Sequence, residues 1–376
     1  MPLYMDRHNV PGLTVRDAAK AHLKDLEIQE EYKCISMTYW VDEERGNVFC
    51  LIDAPNKQAV REMHNKAHGL IPNDIIEVDS SLVKAFLGRI HDPDTSSLAG
   101  TPDPSIINEP AFRYILVIDL KDRILFDCLY GKLTGSKLIK TFNSLVQQSI
   151  HHYLGRLIEN HEGFLASFAS VTNAVDCALY LHNSVQFQNT CHNLPKINIK
   201  MGLSAGYPIA GNDALFGDAI KRSKRLCFFS ESDKIYLTSL IKDEYRGNSP
   251  QVFNSNRLIR ILNPEEDLFL NRLLDEIQNT PSEQMVKLKV YCQQLGVSTS
   301  KLYRDTVNIT GFSPLDLLKE IKLTTALHLM QKQNKNISET SYELGFTNPS
   351  YFTKCFKKRF NVLPADFLKT IHNQVN

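Results

Sequence analysis

Apolar and polar positions alternate over Leu3–His8, which predicts a short strand. After it, Ala18, Ala19, His22 and Leu23 recur at helical spacing, and Thr14 stands where an N-cap would open a helix at Val15. Cys34–Val41 and Val48–Ile52 read as strands joined through Glu43–Asn47, with Gly46 at the turn. Asn56 opens a second helix that runs to about Ala67 and closes at Gly69. Asp74–Val78 is the last strand. Strand, helix, strand, strand, helix, strand is the order of a ferredoxin-like α+β module.

His91–Ser105 is rich in Pro, Asp, Ser and Thr, has no apolar period and reads as a linker. Beyond it, strand-like and helix-like patterns follow one another. A strand at Tyr114–Leu120 precedes a helix through about Ser136–Leu154 and a hairpin over Arg156–Phe168, turning near Glu162-Gly163. A helix at Val171–Phe187, a strand at Ile197–Ala205, a helix at Asp218–Phe228 and a strand at Lys234–Thr238 complete it. A weaker break lies around Gly247–Pro264, and the rest of the chain shows no convincing strand. The predicted organisation is a first module at 1–90, a linker at 91–111, a second α/β module at 112–262 and an all-α domain at 263–376.

Charge sharpens this division. The net charge of the 376-residue chain is +1, yet residues 281–376 hold 13 Lys and Arg against 7 Asp and Glu. Residues 1–280 hold 30 against 35. A basic end of +6 on an acidic body of −5 points to a polyanionic partner. No apolar run reaches the ~18–20 residues that a membrane span needs, and Asp6 interrupts any signal-peptide core. The eight cysteines are scattered without a C-x-x-C pair, the pattern of reduced thiols in a cytoplasmic protein.

The basic end carries the strongest motif. Gln284–Leu295 is amphipathic and stops at Gly296, and Ser298 caps a second helix, Thr299–Val307. Asn336–Gly345 repeats the plan, and Asn348-Pro349 opens a further helix through Arg359. One long helix, about Pro314–Lys332, joins the two units, each of which follows helix-turn-helix logic. Candidate DNA contacts are Ser298, Ser300, Lys301 and Arg304 on the first reading helix. On the second they are Asn348, Ser350, Tyr351, Lys354, Lys357 and Lys358. Short polar groups read base edges, while lysines and helix N-termini take phosphate. A lysine cluster on one helix is as readily a solvated face; two units in register favour double-stranded DNA.

This segment resembles the DNA-binding domain of AraC/XylS-family transcription regulators. The resemblance rests on Asn336–Glu339, Tyr342–Phe346, Asn348–Lys358 and Phe360–Pro364, with Leu295–Ser298, Leu302–Arg304 and Gly311–Pro314 in the first unit. It covers about 100 residues and implies two reading helices in successive major grooves. It departs at Val290-Tyr291-Cys292, where that family has a Leu-Ala pair.

Near the other end, His64 and His68 lie at i and i+4 on one helix face, and Asp6 and His8 share one face of the first strand. Imidazole with carboxylate suits zinc or nickel. A lone H-x-x-x-H is also often incidental. Leu3 and Met5 are expected to face the helices, which would send Asp6 and His8 to the open side of the sheet, away from His64 and His68. A site shared across a dimer, or one at the sheet end, would reconcile the four. Residues 2–79 resemble a small ferredoxin-like family described as nickel-binding, on Tyr4–His8, Thr38–Gly46, Phe49–Pro55, His64–Gly69 and Ile75–Val78. Trp40 is expected on the open sheet face or at an interface.

The middle segment resembles the class III nucleotidyl cyclase catalytic domain. The resemblance rests on Val117–Leu120, Glu162–Phe168, Gly202–Gly206, Phe216–Ile220 and Arg225–Cys227. It implies a metal carboxylate at Asp119, a second at Glu162 and a transition-state arginine at Arg225. Leu157 or Ile158, a position near Ala214, and Lys221 stand where that family has base-reading and transition-state groups. Lys121-Asp122 replaces a glycine that admits substrate. The site is degenerate and no enzyme activity is expected. The overall expectation is two ferredoxin-like modules that sense a small molecule or metal, or set a homodimer, followed by a tandem helix-turn-helix reader of DNA. The rivals are an active cyclase gated by the terminal domains and a nickel or zinc sensor.

Overall fold

The structure, a computed structural model, describes residues 1–93, 107–158, 163–191, 195–210, 214–230, 234–245, 253, 258–280, 287–332 and 335–375. It is mixed α+β, two sheets followed by a helical region.

The first module runs β1 (Leu3–Asn9), α1 (Val15–Ile28), β2 (Ile35–Asp42), β3 (Asn47–Asp53), α2 (Lys57–Ala67) and β4 (Asp74–Glu77). Its antiparallel sheet has the order β2-β3-β1-β4. Thr14 caps α1 in a reciprocal box with Asp17, and Asn56 caps α2 by accepting from the Ala59 N–H. Both helices cover one face, over Tyr4, Tyr39, Cys50 and Ile52. A third helix, α3 (Ser80–Leu87), follows where no element was expected; Asp79 caps it and Val83, Phe86 and Leu87 bury its inner side.

The second module is built on β5 (Arg113–Leu120), β6 (Arg156–Ile158), β7 (Phe164–Phe168), β8 (Ile199–Gly206), β9 (Ile235–Thr238) and β10 (Ile259–Leu262). The sheet order is β10-β9-β8-β5-β7-β6. Its first four strands repeat the arrangement of the first module, and two parallel strands extend one edge. The connecting helices are α4 (Phe126–Tyr130), α5 (Lys132–His152), α6 (Val171–Cys191), α7 (Gly217–Phe229) and α8 (Ser239–Glu244). Side chains of α5 and α6 pack with the main apolar core of this sheet. α7 lies so close to β8 that a Cβ on Gly202 would stand 2.3 Å from the Cys227 nitrogen and the Ser223 carbonyl oxygen, so only glycine fits.

The side of the first sheet expected to be open is not. Met5, Trp40, Phe49 and Leu51 pack in one cluster with Ile115, Val117 and Leu165 of the second sheet, and Phe86 stacks on Phe216 at 4.9 Å. This corrects the expected facing of β1. Met5 turns toward the second module, while Tyr4, Asp6 and His8 turn toward the helices. The apolar side chains choose the larger apolar surface, which belongs to another module and is invisible within residues 1–90. Trp40 is buried at this interface.

The helical region comprises α9 (Pro264–Asn279), α10 (Leu288–Leu295), α11 (Thr299–Thr310), α12 (Pro314–Lys332), α13 (Ile337–Glu343), α14 (Pro349–Phe360) and α15 (Pro364–Val375). α9 joins Leu226, Phe229 and Tyr236 of the second module to Tyr291, Leu302 and Leu317 of the first helical unit in one core. No described helix is long and apolar enough to cross a membrane.

Candidate metal centre and nucleic-acid interface

Four elements converge under α1 and α2. β1 supplies Asp6 and His8, α2 supplies His64 and His68, α1 supplies Asp25, and β3 supplies Cys50, which pairs with Asp6 across the strands. The two expected pairs therefore meet within one chain. His64 is the hub: its Nε2 lies 2.8 Å from Asp6 Oδ2, and its Nδ1 lies 3.1 Å from Asp25 Oδ1 and 3.0 Å from His68 Nε2. His8 Nε2 stands 3.3 Å from Asp6 Oδ1. Asp6 and His64 are fully buried.

Such burial opposes charge, yet the carboxylates decide the balance. Desolvation pushes His64 toward neutrality, but Asp6 and Asp25 together hold its pKa up at about 10. Burial likewise pushes Asp6 upward, and the His64 and His8 rings overcome it and hold the carboxyl below its usual range. Asp25 is lowered in the same way, burial opposing and His64 and His68 prevailing. Burial raises the Cys50 thiol well above its ordinary value, with Asp6 adding to the effect.

The residues fit a divalent ion. Donor atoms of Asp6, His8, Cys50 and His64 lie within 4.8 Å of one another, as do those of Asp25, His64 and His68. His8 Nδ1 is buried without a hydrogen-bond partner. A cavity of about 20 Å³ opens beside them, lined by His8, His22, Asp25, Cys50 and His68, enough for one water or ion. Imidazole nitrogen suits zinc, copper, iron or nickel, and carboxylate oxygen is a general partner for divalent ions. Asp25 and Cys50 were missed in the sequence. Cys50 is legible from the register of β1 on β3, and Asp25 from the apolar stripe Ala18, His22, Asp25 on α1.

In the helical region, Ser298 and Asn348 accept hydrogen bonds from the Lys301 and Tyr351 N–H groups, at 3.2 and 2.8 Å. They cap the reading helices. Ser300, Lys301 and Arg304 on α11 are exposed, as are Ser350, Tyr351, Lys354, Lys357 and Lys358 on α14. Lys301 and Arg304 both reach Asp305, at 2.7 and 3.1 Å. Exposed pairs of this kind contribute little to stability. Gly296 takes a left-handed conformation at φ 66°, turning α10 into α11.

Of the residues matched to a cyclase site, Glu162 lies outside the described residues. Asp119 accepts the Leu120 N–H at 2.8 Å. Arg225 is committed to α9: it donates to the Asn271 side chain at 2.8 Å and to Asp275 at 2.5 Å.

Residues 291–370 match the family model of a helix-turn-helix domain. The chain carries an AraC-type helix-turn-helix domain. Residues 4–78 match a second family model, described as nickel responsive protein SCO4226-like. Among curated relatives, the histidine kinase P4 of Formosa agariphila is 33% identical over 102 residues, 27% of this chain and 7% of that protein. The HTH-type transcriptional activator RhaS of Salmonella arizonae is 28% identical over 102 residues, 27% of this chain and 36% of that protein. The chain thus spans a small part of the relatives it matches. An adenylate/guanylate cyclase/hydrolase from Silicibacter pomeroyi is 22% identical, with a TM-score of 0.27 over 32% of this chain and 70% of that one. The ferredoxin-like assignment of the middle module rests on its own strand order.

Proposed function

We propose that this chain is a sequence-specific, DNA-binding transcription regulator whose first module holds a nickel or zinc ion as effector. The observation that carries the reading is the pair of capped helices, α11 and α14, presenting exposed basic and short polar side chains within an AraC-type domain. Lys301, Arg304, Lys354, Lys357 and Lys358 would take phosphate, and Ser300, Ser350 and Tyr351 would meet base edges. Asp6, His8 and His64 would hold the ion, with Asp25 and His68 orienting His64. The second module links the two, and the protein works in the cytoplasm. A homodimer would form away from the faces of the two sheets that already cover each other. Selection of bound duplexes from a random library by the full chain, with and without Ni²⁺, tests the proposal. Recovery of no enriched motif in either condition removes it.

A second reading, a metal buffer without regulatory output, is favoured by the convergence of the buried donors alone. It predicts the same DNA affinity with and without metal. Catalysis by the second module is not favoured, because Arg225 is spent on α9.

A further inference from the structure

The helix-turn-helix pair is not carried on a free tether. The second module touches it at two separated places. At the first, α9 buries Leu270, Leu273 and Leu274 with Leu226 and Phe229 of α7, and Arg225 and Lys221 both reach Asp275. At the second, the turn that follows β5 meets α14. Asp122 takes both ends of the Arg359 guanidinium, Nη1 to Oδ2 at 2.9 Å and Nη2 to Oδ1 at 3.1 Å. Glu320 of α12 receives the remaining donors at 2.6–2.8 Å. Leu125, fully buried, enters the core formed by Leu323, Phe352, Phe356 and Phe367.

Two features mark this contact as built rather than incidental. Asp122 adopts φ 55°, a left-handed conformation uncommon outside glycine, asparagine and aspartate, at the start of this turn. A two-pronged carboxylate–guanidinium fork also fixes orientation, where a lysine would supply only attraction. Meanwhile the outward faces of α11 and α14 stay uncovered. The contact therefore does not hide the reading helices.

We propose that the second module is a template for the DNA reader. By gripping the first unit through α9 and the second through Asp122 and Leu125, it fixes the spacing and rotation of α11 relative to α14. The partner of the 122–125 turn is thus the second helix-turn-helix unit of the same chain, and the fork is the point at which a change in the body would reach DNA. The inference takes its meaning from the DNA-binding proposal, but the contact itself is testable without DNA.

The variant is Asp122→Asn in the full chain. Asparagine tolerates the left-handed conformation as well as aspartate does, so the turn is kept and the charge is lost. Amide hydrogen exchange of the free protein should quicken roughly tenfold in α14 and α15, with α10 and α11 unchanged. On a duplex selected by the unaltered chain, inserting one base pair between the two contacted grooves should weaken the unaltered protein roughly tenfold and the variant much less. Unchanged exchange in α14 and α15 overturns the proposal, as does an identical spacing profile for the two proteins. If the unaltered chain selects no DNA, the regulator reading fails while the exchange result still decides the contact.

Discussion

An ion bound at the His64 hub would have to displace a proton. In the metal-free chain His64 bridges Asp6 and Asp25, and its pKa stands near 10. A metal takes only the neutral ring, so an ion entering at pH 7 displaces a proton held about three units tightly. At about 1.4 kcal/mol per unit, the cost at pH 7 is about 4 kcal/mol. Affinity for Ni²⁺ should therefore rise about tenfold per pH unit and level off only near pH 10. Calorimetry from pH 6.5 to 8.5, in buffers of different ionisation enthalpy, should show about one proton released per ion. A second released proton would place Cys50 in the coordination sphere, since its thiol is also held protonated. Affinity flat across this range with no proton release would show that His64 is not a ligand, or not an imidazolium.

Other outcomes follow from the same geometry. In the metal-free protein, His64→Ala leaves Asp6 and Asp25 buried without their shared cation, and should destabilise the first module by about 3–5 kcal/mol; an unshifted melting curve would contradict this. The His64 contribution itself should be full below pH 6.5, the ordinary histidine value, and fade as pH rises through about 10, seen as a falling melting temperature of the metal-free chain. Gly202→Ala places a methyl against the backbone of α7 and should cost about 3 kcal/mol or more; a well-folded variant with unchanged melting would refute that close approach. Incubation with ATP or GTP and Mn²⁺ should yield no cyclic nucleotide, and its appearance would restore the cyclase reading.

Local patterns in the sequence are most telling where each element settles its own fate. Thr14, Asn56, Ser298 and Asn348 cap helices as expected, because a cap needs only a side-chain oxygen and the next turn. The paired helix-turn-helix units were legible for the same reason. What escaped depends on distant surface. The facing of β1 is not legible, because an isolated strand shows alternation but not which side meets the larger apolar partner. The only local signals of α3 are Asp79 and the spacing of Val83, Phe86 and Leu87, beyond the last strand of the module. Asp25 escaped because an acid on an apolar stripe reads as a defect until its partners His64 and His68 are placed. Arg225 matched a catalytic position in sequence, yet its neighbour proved to be α9, about 50 residues onward.

Reading of duplex DNA by α11 and α14 would rest on phosphate contacts from both helices. Its most direct test is the salt dependence of binding by the full chain to a selected duplex, beside Lys354→Ala. With Lys301, Arg304, Lys354, Lys357 and Lys358 on phosphate, log K should fall against log salt with a slope of about −4 to −5. Lys354→Ala should shrink that slope by about 1 and weaken all sequences alike. No binding, or binding indifferent to salt and to Lys354, would contradict the account.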